Sequence, residues 1–239
     1  MITIHDIAAF LDLFFDAGQI DGDPHGLFVL SLRPVQRIGL ALEPWSGIGD
    51  AVQQHGLDAL LLHRPWQLDR AALPAGVGVL AYHRAFDLHL TVGHNPRLAN
   101  ALGLQSVVPF DLHSRSATAM IGDCAPIDGN VFAQQLQQLF GGYEQMHAMP
   151  GQCCRIVVAG AMTDALVRAA AAQGAQLYLT GQFRQPAAHA VAETGIGVVA
   201  VGHARAEQWG LRALAGVLRE RWAALDVQLL GGEHGAVGG

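Results

Sequence analysis

The chain has 239 residues, of which 51% are hydrophobic and only 14% charged, with a formal net charge of -6. It is long enough to bury a full hydrophobic core unaided, and it contains no apolar run of the roughly 18 residues that a membrane span needs. The net charge and the lack of any basic cluster argue against a nucleic-acid backbone as main partner, and the absence of lysine excludes Schiff-base and P-loop-lysine chemistry.

In chain order, "TIHDIAAFLDLFFDAG" spaces Ile4, Ile7, Leu11 and Phe14 at helical intervals, with Thr3 as cap and Gly18 as stop. Its acids stand where a secretory signal carries bases, so a cytoplasmic protein is expected. Strands are then predicted at "RIGLALE", "DALLLH", "GVGVLAYH", "ATAMIGD", "CRIVVAG", "QLYLTG", "GIGVVAVGH" and "DVQLLG". Helices are predicted over 48–55, 96–102, 131–140, 163–173 and 206–222. Such alternation implies an α/β fold with mainly parallel sheets covered on both faces. The stretch 109–151 is the least regular and is expected to hold a crossing between lobes, and the tail 231–239 is expected to be disordered. Cys124, Cys153 and Cys154 match no zinc or redox spacing and are expected to be buried thiols.

The chain repeats itself. "RIGLALEPWSGIGDAVQQHGLDALLLHRP" from Arg37 parallels "RIVVAGAMTDALVRAAAAQGAQLYLTGQF" from Arg155, with Gly56 and Gly174 in matching places. "GVGVLAYHRAFD" and "GIGVVAVGHARAE" follow in turn, each ending in a histidine with a carboxylate four residues on. Two related lobes, roughly 1–123 and 124–230, are the economical reading. Arg37 and Arg155, each preceding a strand, are expected to face solvent.

Ligand sites in α/β domains collect at the carboxyl ends of strands. Three apolar runs end there in histidine: "ALLLH" at His63, "GVLAYH" at His83 and "GVVAVGH" at His203. Asp87 and Glu207 follow at i+4, where each shares a helix face with its histidine. A mixed imidazole and carboxylate set suits a divalent Zn, Mn, Fe, Co or Ni ion and can make water acidic near neutral pH. His5, His25, His55, His94, His113, His147 and His189 are expected to be structural or solvated.

These residues resemble the dinuclear metal-centre family of GTP cyclohydrolase I type 2 homologues (NGG-interacting-factor-like), in the short form without a central insertion. Its His-His-Pro strand end corresponds to "LHRPW", with His63, Arg64 and Pro65. Its His-Thr-Asn-x-Asp segment corresponds to "HRAFD", with His83 and Asp87, and its Gly-His-Tyr-x-x-Glu segment to "GHARAE", with Gly202, His203 and Glu207. The resemblance implies a metal site in a cleft between two α/β lobes, holding one or two divalent ions through His63, Asp87, His203 and Glu207. It also implies ring-like homohexamers, in keeping with the high apolar content. Arg64 stands in place of a second histidine and cannot donate a lone pair to a metal, so its expected role is to clamp an anionic group of a small molecule. His83 is expected to transfer protons beside the metal, or to enter as a replacement ligand. The implied activity is hydrolase-like, on a nucleotide or other anionic substrate; the alternative is a metal-binding scaffold or interaction protein whose altered site has lost catalysis. Arg84 and Ala85 replace the threonine and asparagine of the middle motif, and "GQFRQP", with Gln182 and Pro186, replaces a Gly-Glu-x-x-x-His segment.

Overall fold

A computed structural model of the chain describes residues 1–20, 25–110 and 118–231. In chain order its elements are α1 (Ile4–Phe14), β1 (His25–Val29), β2 (Arg37–Ala41), α2 (Ile48–His55), β3 (Ala59–Leu62), β4 (Gly78–Tyr82), α3 (Arg84–Leu90), α4 (Pro96–Ala101) and β5 (Gln105–Pro109). There follow β6 (Ala119–Asp128), α5 (Gly129–Phe140), β7 (Gln145–His147), β8 (Gln152–Ala159), α6 (Asp164–Ala172), β9 (Leu177–Thr180), α7 (Ala188–Thr194), β10 (Gly197–Ala200), α8 (His203–Arg221) and β11 (Asp226–Leu229). They form two compact units, Met1–Phe86 with Leu211–Gly239, and Asp87–Gly210.

The first unit is built on the strand order β1-β4-β3-β2-β11. All pairings are parallel except β1 with β4. Every residue of β3 and β4 is buried, as continuous apolar runs in a parallel sheet require. Leu60, Leu62 and Val79 pack with Ile48 and Val52 of α2. Helix α1 starts at Thr3 through a capping box: Thr3 Oγ1 accepts from the Asp6 N–H while the Asp6 carboxylate accepts from the Thr3 N–H. It ends before the expected Gly18, because Asp16 turns into the left-handed region at φ 47.

The second unit has the order β5-β6-β8-β9-β10-β7, with β8, β9 and β10 parallel and β5, β6 and β7 joined antiparallel. Val157, Tyr178 and Val198 meet Val167 and Ala170 of α6 and Ala190 of α7 in its core. The repeat is visible in both units: β2–α2–β3 corresponds to β8–α6–β9, and both helices are terminated by a glycine at positive φ, Gly56 at 58° and Gly174 at 78°.

The compact units divide the chain differently from lobes at 1–123 and 124–230. After α8 the chain returns as β11 to pair with β2, while β5 and β6 join the sheet of β8. Strands β1, β5 and β7 and helices α3 and α7 add to the sequence expectation. The three strands lie at sheet rims or are very short, and the two helices have seven residues each, too few for a clear period. Arg37 and Arg155 are engaged rather than merely solvated: Arg37 donates to the His55 carbonyl at the end of α2, and Arg155 pairs with Asp123 at 2.9 Å. Cys153 is buried and Cys154 exposed, since adjacent residues of a strand point to opposite faces. Residues 232–239 of the tail, and His113, lie outside the described residues.

Candidate metal centre

Strand β3 delivers His63 at its carboxyl end, where the His63 N–H continues the ladder to the Ala41 carbonyl at 3.0 Å. The side chain is fully buried. Its Nδ1 lies 3.0 Å from the Tyr82 carbonyl oxygen. A carbonyl only accepts, so Nδ1 carries the proton and Nε2 presents the lone pair. This outer hydrogen bond to a carbonyl is the usual way of orienting a metal-binding imidazole. Tyr82 is itself fixed, its hydroxyl donating to Asp12 Oδ1 at 2.7 Å and lying 3.1 Å from the Ala8 carbonyl of α1. Burial, then the Asp12 carboxylate, hold that hydroxyl far above the usual phenol range, so it stays a neutral donor.

Strand β4 ends at Tyr82 and hands directly to His83, and α3 places Asp87 one turn later. One donor atom from each of His63, His83 and Asp87 lies within 4.8 Å of the others. Three donors held by one ion at about 2.0–2.2 Å stand about 3.3–3.8 Å from one another, so the group would draw in by up to about 1 Å on binding one. Among the described residues it is the one group of three or more such donors this close. The two imidazoles are tilted at 46° with centroids 4.9 Å apart, and Phe86 backs His63 at 4.7 Å. The exposed Trp66 ring meets His83 edge-on at 5.0 Å. Arg64, next to His63, donates from Nη1 to Glu43 Oε1 at 2.7 Å. The Glu43 carboxylate thus stands beside the guanidinium that is expected to clamp an anionic group.

In the second unit, β10 is followed by Gly202, whose N–H reaches the Gly181 carbonyl at 2.8 Å, and α8 then opens at His203. His203 Nε2 stands 2.9 Å from Glu207 Oε1; the histidine side chain is 67% exposed and the glutamate 3%. His203 and Asp87 line one pocket of about 520 Å³ together with Gly160, Thr163, Gly181 and Arg184. The four expected ligands therefore fall into two arrangements. His63 and Asp87 group with His83, which was expected to transfer protons or to enter as a ligand, whereas His203 and Glu207 pair with each other and share the pocket with Asp87 through His203.

Glu43, Trp66, the Tyr82 carbonyl and Arg184 were not singled out by the sequence. Glu43 and Trp66 left a signal there, one closing "RIGLALE" and the other closing "LHRPW". Arg184 could have been found from its place after a strand end. The Tyr82 carbonyl leaves no trace in residue type.

A family model described as Duf34/NIF3 (NGG1p interacting factor 3) matches residues 2–231. A Pseudomonas aeruginosa protein called GTP cyclohydrolase 1 type 2 homolog is 28% identical, with 93% of this chain and 94% of the relative covered. A protein of the same name from Allochromatium vinosum is 26% identical, with 93% of each covered. The solved structure of protein ybgI, of unknown function, superposes with a TM-score of 0.75 at 21% identity, covering 96% of this chain and 98% of that one. At that identity the likeness is one of fold.

Proposed function

Because the chain belongs to the Duf34/NIF3 (NGG1p interacting factor 3) family, we propose that it is a divalent-metal-dependent, hydrolase-like protein acting on a nucleotide or another anionic small molecule. The observation that carries this reading is the meeting of His63, His83 and Asp87 within 4.8 Å, with His63 oriented from behind by the Tyr82 carbonyl. A first-row divalent ion there would supply Lewis acidity and bring the pKa of water toward neutrality. His203 and Glu207 supply further donors, as the resemblance implies, and Asp87 and His203 already share a pocket. The name carried by the relatives, GTP cyclohydrolase 1 type 2 homolog, supports a nucleotide-like substrate.

Arg64, held by Glu43 where the family has a second histidine, favours one ion over two. Copies of the chain are proposed to assemble into a ring, a reading supported by the exposed Leu13, Leu30 and Leu32 of the first unit. No helix among the described residues is long and apolar enough to cross a membrane; a cytoplasmic location is part of the proposal.

The test is hydrolysis of nucleotides, phosphoesters and cyclic amides by metal-loaded protein, beside Glu207→Gln. The expected result is turnover of at least one class, reduced about 10–100-fold in the variant. No turnover of any class by a metal-loaded chain would instead support the scaffold reading.

A further inference from the structure

From the pocket of the second unit we infer an oxyanion-binding subsite whose anchor is Arg184, the group that holds the phosphate or carboxylate of the substrate. The inference deepens the proposed function and rests on it for the identity of the reacting centre.

The pocket lies where the parallel strands β8, β9 and β10 end. Gly160 follows β8, Gly181 follows β9 and His203 follows β10, and all three line it. Crossover topology brings loops together at this end of a parallel sheet. Among the described residues, the charged and titratable ones of its lining are Asp87, Arg184 and His203. In the proposed function Asp87 and His203 are metal donors, which leaves Arg184 as the cation that faces the remaining space.

Arg184 differs from the other described arginines. Arg33, Arg64, Arg155, Arg168 and Arg205 pair with carboxylates. Arg37 and Arg219 donate to backbone carbonyls, and Arg70 and Arg221 lie over aromatic rings. Arg84, Arg97 and Arg212 have partners too. Among the described residues, the guanidinium of Arg184 has neither a hydrogen bond, an ion pair nor a ring contact.

Its backbone is nonetheless anchored. The Arg184 N–H points to Met162 Sδ at 3.5 Å, and Met162 lines the same pocket. The chain then turns through a short 3-10 helix, Gln185–Ala187, into α7, which is tied to α6 by Arg168 and Glu193. A fixed backbone carrying an uncommitted planar fork of donors suits bidentate capture of an oxyanion. Gly181 leaves room for it, since a side chain there would point into open space.

The experiment is calorimetric titration of inorganic phosphate and, separately, acetate into the full chain kept metal-free with chelator. Wild type, Arg184→Gln, Arg184→Lys and Arg205→Gln are compared, the last removing a cation of the same unit that pairs with Glu144. Saturable binding of at least one anion is expected, weakened about tenfold or more in Arg184→Gln. Arg184→Lys should fall between, because a point charge replaces a fork, and Arg205→Gln should stay within about twofold of wild type. Binding of phosphate alone would mark a phosphorylated substrate, and binding of both anions a carboxylate-tolerant one. No saturable binding to wild type, or equal binding to Arg184→Gln, overturns the subsite. Metal content is measured on the same preparations before chelation. Arg184-dependent binding by a chain that never takes up metal would sink the metal reading alone, whereas a metal-loaded chain indifferent to Arg184→Gln would sink the subsite alone.

Discussion

His63→Gln is expected to lower the metal affinity of the chain by more than about 100-fold, beyond the 10–100-fold usual for losing an outer-shell partner. Glutamine is similar in length, but its amide lies at the place of Nε2, so the 3.0 Å contact of His63 Nδ1 with the Tyr82 carbonyl is lost as well. The change therefore replaces the Nε2 lone pair by a weak amide donor and removes the outer hydrogen bond that orients it. Alanine would be a poorer probe, because the site is fully buried against Phe86 and an emptied volume there adds a cavity cost of roughly 2–4 kcal/mol. Thermal unfolding with and without added Zn separates the effects. An ion at 100 times its dissociation constant stabilises the folded state by about 2.7 kcal/mol, or roughly 5–10 °C for a chain of this size. Wild type should show that rise and His63→Gln should not. Equal rises in the two proteins would place the metal elsewhere.

The second large effect is expected at the junction that launches His203. Gly202 sits at φ +100, a conformation side chains rarely adopt, and a Cβ there would collide with the Glu144 carboxylate. Gly202→Ala is expected to cost about 2 kcal/mol through backbone strain, lowering the melting temperature by roughly 4–8 °C. Part of the strain would be relieved by rotating the start of α8, which carries both His203 and Glu207, so metal affinity should fall as well. Gly181→Ala is the control, since its Cβ would enter open space at an ordinary φ. Similar losses in both variants would show that conformation at Gly202 is not what positions α8.

Much of this architecture is written locally. The runs at β3, β4, β9 and β10 are apolar without a break because both faces of a parallel sheet are covered, and such runs announce themselves with their end points. His63, His83 and His203 were legible for the same reason: each is the first polar residue after a buried run. The repeat told where the helices stop, since Gly56 and Gly174 have to take positive φ.

What was not legible depends on distance through space rather than along the chain. The pairing of Arg64 with Glu43 spans 21 residues and joins the ends of two neighbouring parallel strands. Which donors meet was equally hidden. The i, i+4 pattern put His83 with Asp87 and His203 with Glu207, but only the register of β3 beside β4 brings His63 to the first pair. Arg184 follows a strand end, where binding residues collect, but no residue type shows that its guanidinium has no partner among the described residues.

The most direct measurement is elemental analysis of the untagged chain purified without chelator, expressed as metal per subunit, for wild type and His203→Ala. The account predicts about one divalent first-row ion per subunit in wild type, held more weakly in the variant. No metal in wild type, even after loading with Zn, Mn, Fe, Co and Ni in turn, would contradict it.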